Sequence, residues 1–176
     1  MFAPLDFTGT VALLMIIIYI LIVELLISVH FVVTVCVLAM AACCYAIKIE
    51  KDGGSTKQAC DINDIVSCSS VLTSEYAHMV KLILKLDENH FLNLSNAQYG
   101  LISYFFLILF QFYPFTLLPY YDYIFLAMTS VSVLASFGLA YILRYVLKQF
   151  CAVCVFMYFL NVLLFVSSVL RIQWNY

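Results

Sequence analysis

Four long apolar runs dominate the chain: Val11 to Ile47, Leu101 to Leu118, Tyr123 to Leu147 and Phe150 to Leu170. Charges concentrate between Lys48 and His90. A hydrocarbon layer roughly 30 Å thick is crossed by a helix of about 20 residues, and each of the last three runs is near that length. The pattern predicts an all-α integral membrane protein, a bundle of four transmembrane helices with one large polar loop. Composition demands the same solvent. Of 176 residues, 66% are hydrophobic and 10% charged, and a water-soluble domain of this size could not hide so much apolar surface. The net charge of -2 includes no basic run that would attract nucleic acid or an anionic lipid surface, so those partner classes drop out.

The first run is too long for one span, since as a single helix it would reach about 55 Å. Glu24, Ser28 and His30 interrupt it. We therefore expect residues 1–28 to form an amino-terminal apolar extension and the first span to begin at Val29. A cleaved signal peptide is disfavoured because Met1 to Asp6 contains no Lys or Arg. The remaining expected units are a four-helix membrane domain over 29–170, containing a loop and cap over 50–96, and a tail over 171–176.

The stretch from Lys48 to Gln58 is polar and contains two glycines, which suits a turn leaving the membrane. Further on, Val71, Leu72, Tyr76, Met79, Val80, Ile83 and Leu84 recur near helical spacing. That periodicity predicts a short amphipathic helix, either packed at the interface or lying as a cap over a pocket. Arg144 and Lys148 mark the boundary before the last run, while Pro114 and Pro119 bracket an earlier short connection.

Seven cysteines lie at 36, 43, 44, 60, 68, 151 and 154. Cys151 and Cys154 form a Cys-x-x-Cys where the last apolar run begins. Residues three apart share a helix face, so the two sulfurs can close a disulfide with little backbone motion. The amides of a helix start favour the thiolate, the form that performs exchange. Cys60 and Cys68 sit in the polar loop, where packing alone does not explain them. Two loop cysteines and two at a helix mouth permit a relay of electron pairs through a mixed disulfide. A structural zinc site is the competing four-cysteine arrangement, but the seven residues between Cys60 and Cys68 exceed the usual zinc-ligand spacing, so no metal is expected. A purely structural loop disulfide remains open. Cys36, Cys43 and Cys44 read as small apolar residues.

Asn96 lies at the mouth of the second span, and Tyr158 lies one helical turn beyond Cys154 on the same face. An amide and a phenol could donate hydrogen bonds to the two oxygens of a quinone, while apolar side chains hold its ring and tail. Equally, Asn96 could cap a helix and Tyr158 could bond between helices. Asn93-Leu94-Ser95 matches a glycosylation sequon, a pattern frequent by chance.

Several of these segments together resemble the vitamin K epoxide reductase family in its short animal form, without a fused thioredoxin domain. The matching stretches are Cys60-Asp-Ile, Val66-Ser67-Cys68, Leu92 to Asn96 followed by Gly100, Phe150 to Cys154, and Tyr158 with Asn161, in order over roughly residues 30 to 170. The resemblance implies a four-helix bundle around a quinone pocket, facing the lumen of the endoplasmic reticulum. It further implies that Cys154 attacks the quinone or its 2,3-epoxide, Cys151 resolves the adduct, Cys68 reduces Cys151, and Cys60 receives electrons from a thioredoxin-like partner. Asn96 and Tyr158 would hold the quinone oxygens, with no tightly bound cofactor, and the hydroquinone product would support gamma-carboxylation. Warfarin-like coumarins would be expected in the same pocket. The chain departs from the vertebrate pattern after Cys68, having Leu72-Thr-Ser-Glu-Tyr-Ala77 where those enzymes have Phe and then Ser-Ser-Arg-Trp-Gly.

Counting basic residues would place the cysteine loop in the cytoplasm, because Lys48, Lys51, Lys57, Lys81 and Lys85 lie on it and none lies between Gln111 and Asp122. Disulfide exchange needs an oxidising compartment, and we let that requirement prevail. Two other functions fit the same residues: a quinone-dependent generator of disulfides for oxidative folding, and a non-catalytic membrane protein whose cysteines staple the loop.

Overall fold

The computed structural model describes residues 7–53, 58, 60–63, 66–85, 87, 90 and 92–174. Among them the architecture is all-helical, with no strand beyond one isolated bridge between Val66 and Phe150. Seven α-helices follow in order: α1 (Phe7–Ile27), α2 (Val29–Lys51), α3 (Cys68–Leu72), α4 (Met79–Leu84), α5 (Asn96–Phe110), α6 (Tyr121–Tyr141) and α7 (Ala152–Trp174). A π-helical segment, Ile142–Val146, extends α6. Three helical stretches are long and apolar enough to cross a membrane: Val29–Lys51, Tyr121–Val146 and Ala152–Trp174. The helix α5 is apolar but has 15 residues, about 22 Å.

The long first run breaks at Ser28. Ser28 has an extended backbone, and its hydroxyl accepts a hydrogen bond from the Phe31 amide, so it ends one helix and caps the next. Val23 of α1 is buried and Ser167 Oγ of α7 donates to the Leu26 carbonyl at 2.6 Å, whereas Leu14 to Ile22 are exposed. A helix whose apolar side chains stand exposed over two turns and more needs lipid there. The start of α5 is fixed by a capping box in which Ser95 and Gln98 satisfy each other's backbone amides.

The expected amphipathic helix does not form as one piece. Residues 68–84 break into α3, a 3-10 turn (Glu75–His78) and α4. Ser74 has an extended backbone at ψ 160° that no continuous helix accommodates. Val71 is buried, but Ile83 and Leu84 at the end of α4 are exposed. The second run also stops being α-helical earlier than its hydropathy suggests, because the chain turns at Gln111 and passes through a 3-10 turn at Phe115–Leu117.

The core lies between α2, α5, α6 and α7, where Val32, Val35, Cys36, Ala39, Cys43, Leu107, Phe125, Leu160 and Leu164 are buried together. Cys36 and Cys43 behave as the small apolar residues expected; Cys44 is exposed on the other face of α2. Gly100 lets α5 approach α2 closely: a Cβ there would stand 3.1 Å from Cys43 Sγ. Polar ties cross this core, among them Thr129 Oγ1 to Ser168 Oγ at 2.9 Å. Midway, Tyr104 of α5 donates to Asn161 Oδ1 at 2.7 Å, and Asn161 Nδ2 donates to Ser136 Oγ of α6 at 2.8 Å. At the far end, buried Arg171 donates to Gln111 Oε1 at 2.9 Å and stacks over Phe125 at 5.0 Å.

Away from water such bonds have no solvent replacement, although measured interhelical values in membranes average only about 0.6 kcal/mol. Removing one partner and orphaning the other costs about 1–3 kcal/mol. We therefore expect Asn161→Leu, which strands the Tyr104 hydroxyl, to lower thermal stability in detergent more than Tyr104→Phe. Equal melting temperatures for the two variants would contradict this account of the tie.

Candidate active site

The polar loop returns to the start of α7. The Ser67 amide donates to the Phe150 carbonyl at 3.1 Å alongside the Val66–Phe150 parallel bridge, and Ser70 Oγ donates to Gln149 Oε1 at 2.6 Å. These bonds set Cys68, the first residue of α3, against Cys151, the residue before α7. Both cysteines are fully buried in one cluster with Ile49, Val71 and Leu143, and Cys60, Cys154 and Tyr158 pack against it. All four expected cysteines therefore gather at one end of the bundle.

Cys60 and Cys68 form a disulfide with Cα atoms 5.7 Å apart. Cys151 and Cys154 are free thiols, and the Cys154 amide donates to Cys151 Sγ at 3.3 Å. An amide at a helix start directed at sulfur is the arrangement that favours a thiolate. The loop is organised by Asp61, the neighbour of Cys60. Its carboxylate accepts from the Gln58 amide at 3.0 Å, the Ser69 amide at 3.0 Å, the Ser67 hydroxyl at 2.9 Å and, very closely, the Ser69 hydroxyl. The Ser69 hydroxyl and amide are the main reason that the Asp61 carboxyl is held well below the usual carboxylate range.

Beside Cys154 opens a cavity of about 520 Å³ between α2, α5, α6, α7 and the segment around the 3-10 turn. Cys154, Tyr158 and Asn96 all line it, while Cys68 and Cys151 lie behind its wall. The sulfurs are thus arranged from the loop disulfide through buried Cys151 to Cys154 at the cavity surface. Most of the lining is aliphatic or aromatic, which suits a flat apolar ring with a hydrocarbon tail.

A family model described as the Vitamin K epoxide reductase family matches residues 28–169. The chain belongs to that family. A mouse (Mus musculus) relative, vitamin K epoxide reductase complex subunit 1, is 31% identical over 138 residues, covering 76% of this chain and 83% of the relative. Family membership makes the chain a membrane oxidoreductase. The match starts at Ser28, the residue that caps α2, so α1 lies outside the shared region.

Within this vitamin K epoxide reductase framework, the structure gives Asn96 more to do than line the cavity. Ser95, not Asn96, caps α5; the Asn96 amide group donates to the Tyr76 carbonyl at 2.8 Å and accepts from the Met79 amide at 3.2 Å. It bridges α5 to the 3-10 turn and keeps one further N–H. Sequence reasoning missed Cys43, Tyr104 and Ser136, which also line the cavity. Their spacing within apolar runs carries no local signal, and only the folding of three helices together brings them to one wall. Glu50, at the end of α2, was missed because the polar stretch around it read only as a turn leaving the membrane. Among the described residues no group of three or more His, Cys, Asp or Glu side chains could hold a metal.

A carboxyl whose folded pKa is depressed contributes stability above its unfolded value, about 4, and loses it only as pH falls through the folded value. Asp61 should thus keep its charge and its bonds throughout the range from pH 7 to pH 5. Amide exchange at Gln58 and Ser69, corrected for intrinsic rates, should stay slow across that range in the parent and become fast in Asp61→Ala. Equal protection in the two proteins would show that the carboxylate does not hold the loop.

Proposed function

We propose that this chain reduces vitamin K 2,3-epoxide and vitamin K quinone to the hydroquinone, using electrons passed inward through its two cysteine pairs. The observation that carries the reading is the gathering of Cys68 and Cys151 in one dry cluster with Cys154 opening onto the cavity. In the quinone half-reaction, Cys154 sulfur adds to the ring. Cys151 sulfur then displaces the ring from Cys154, leaving a Cys151–Cys154 disulfide, and both thiol protons end on the hydroquinone oxygens. With the epoxide as substrate, the same two electrons and two protons remove the epoxide oxygen as water and leave the quinone.

The pair is then restored by exchange. Cys68, once reduced, attacks Cys151 and releases Cys154; Cys60 displaces Cys151 from the mixed disulfide and regenerates the loop disulfide. An outside dithiol of thioredoxin-like type reduces Cys60–Cys68 again. The bonding pattern, with the loop pair joined and the inner pair free, corresponds to the stage at which electrons have reached Cys151 and Cys154. Tyr158 and the remaining Asn96 N–H serve as donors to the quinone oxygens.

On this reading α5 together with its flanking residues makes the fourth crossing, and the segment from α3 to α4 is the cap. The cysteine end faces the lumen of the endoplasmic reticulum, where disulfide exchange is sustained. The hydroquinone would supply gamma-carboxylation, and coumarins would compete for the cavity.

The test is turnover of quinone and epoxide by the full-length protein in detergent with a dithiol reductant. The parent should reduce both, and Cys154→Ser neither. Quinone reduction without epoxide turnover would restrict the activity to quinones, overturning the epoxide step. Identical background rates for parent and Cys154→Ser would end the redox reading altogether.

A further inference from the structure

One wall of the cavity is a short strap rather than a membrane helix. Tyr76, Ala77, Met79 and Val80, from the 3-10 turn and the start of α4, face the chamber. Segments of four and six residues do not hold themselves in place, and of these two only Ala77 is buried. Position must come from ties to the bundle. One is the Asn96 side chain, which engages both the Tyr76 carbonyl and the Met79 amide. The other runs to α2, where His78 Nε2 lies 3.4 Å from Glu50 Oε1. Glu50 itself lines the cavity. The Nδ1 atom of the same ring is buried without a hydrogen bond, so among the described residues Glu50 is the polar anchor of this imidazole.

We propose that Glu50 and His78 form a positioning pair for the substrate: they fasten the strap to α2 across the chamber, and the fastening tightens when the imidazole takes a proton. The inference rests on the quinone-reductase reading, which supplies the ligand. Histidine is the side chain whose charge ordinarily changes near neutral pH. Protonated, it is a cation opposite a carboxylate; neutral, it is at most a weak donor.

The surrounding charges are few. On α2 they are the cations Lys48 and Lys51, with Asp52 just beyond; on the strap and α4 they are Glu75 and Lys81. The packed faces of α3 and α5 contribute no charged group, only disulfide-bonded Cys68 and the phenol of Tyr99. The side chains of His78 and Glu50 are 31% and 22% exposed, so solvent screens the pair. Partly screened pairs change an equilibrium by at most about fivefold. The direction follows from charge alone: an imidazolium is held by the Glu50 carboxylate more firmly than a neutral ring is.

The experiment uses the full-length protein with a short-chain 1,4-naphthoquinone as probe. In the parent, KM should rise about two- to fivefold between pH 6 and pH 8. His78→Gln and Glu50→Gln should remain flat at the higher value, and His78→Lys, which keeps its charge, flat at the lower one. The kcat profile, set by the thiols, should be shared by all. In parallel, amide exchange over Tyr76–Val80 should be slower in the parent than in His78→Gln at pH 6 and equal at pH 8. The same KM slope in every variant, or exchange at pH 6 unaffected by His78→Gln, would overturn the proposal. Absence of turnover in the parent would instead sink the reductase reading, and the exchange measurement, which needs no activity, would still decide whether the pair holds the strap.

Discussion

A sulfur in a watery loop can exchange with one at a membrane helix only if the loop returns to the same place. Here that return depends on a few hydrogen bonds between Ser67, Ser70 and the pair Gln149 and Phe150 just ahead of α7. They join segments nearly eighty residues apart in the chain, and the residues beside them, Cys68 and Cys151, are shielded from solvent. Bonds in such surroundings are electrostatically stronger than the same bonds in water. Asp61 gathers the other side of the loop, so the ring closed by Cys60 and Cys68 is held from two directions. Displace the junction and every other part of the site stays intact while the two cysteine pairs lose each other.

On the proposed reading, α7 carries the inner half of the chemistry on one face. Cys154, Tyr158 and Asn161 follow at helical spacing and all border the cavity. Asn161 is also the residue that binds α7 to α5 and α6 through Tyr104 and Ser136. The same contact that closes the bundle therefore fixes the rotation of the helix that presents the thiol. At the far end Arg171 does a related job with Gln111 and Phe125.

Much of this was legible in the amino-acid sequence because it obeys local rules. Apolar length marked α2, α6 and α7, Ser28 marked the break in the first run, and the spacing of Cys151 and Cys154 placed both near the start of a helix. The family resemblance carried by the cysteine and asparagine segments matches the family shown for residues 28–169. What escaped depends on partners distant in the chain. Periodicity over residues 71–84 could not reveal that Ser74 interrupts the helix, nor that Tyr76 and Met79 exchange hydrogen bonds with Asn96. A tyrosine, a serine and a cysteine within greasy stretches look like packing until three helices bring them to a common wall.

Gly100 shows how thin that wall is. It sits where α5 meets α2, with Cys43 sulfur occupying the room a methyl group would need. An alanine at this position would bring its methyl group within 3.1 Å of that sulfur, so Cys43 or the α2–α5 contact would have to yield by a few tenths of an ångström. Because both residues line the cavity, that adjustment would reshape the chamber at this wall even with every redox-active sulfur still in place.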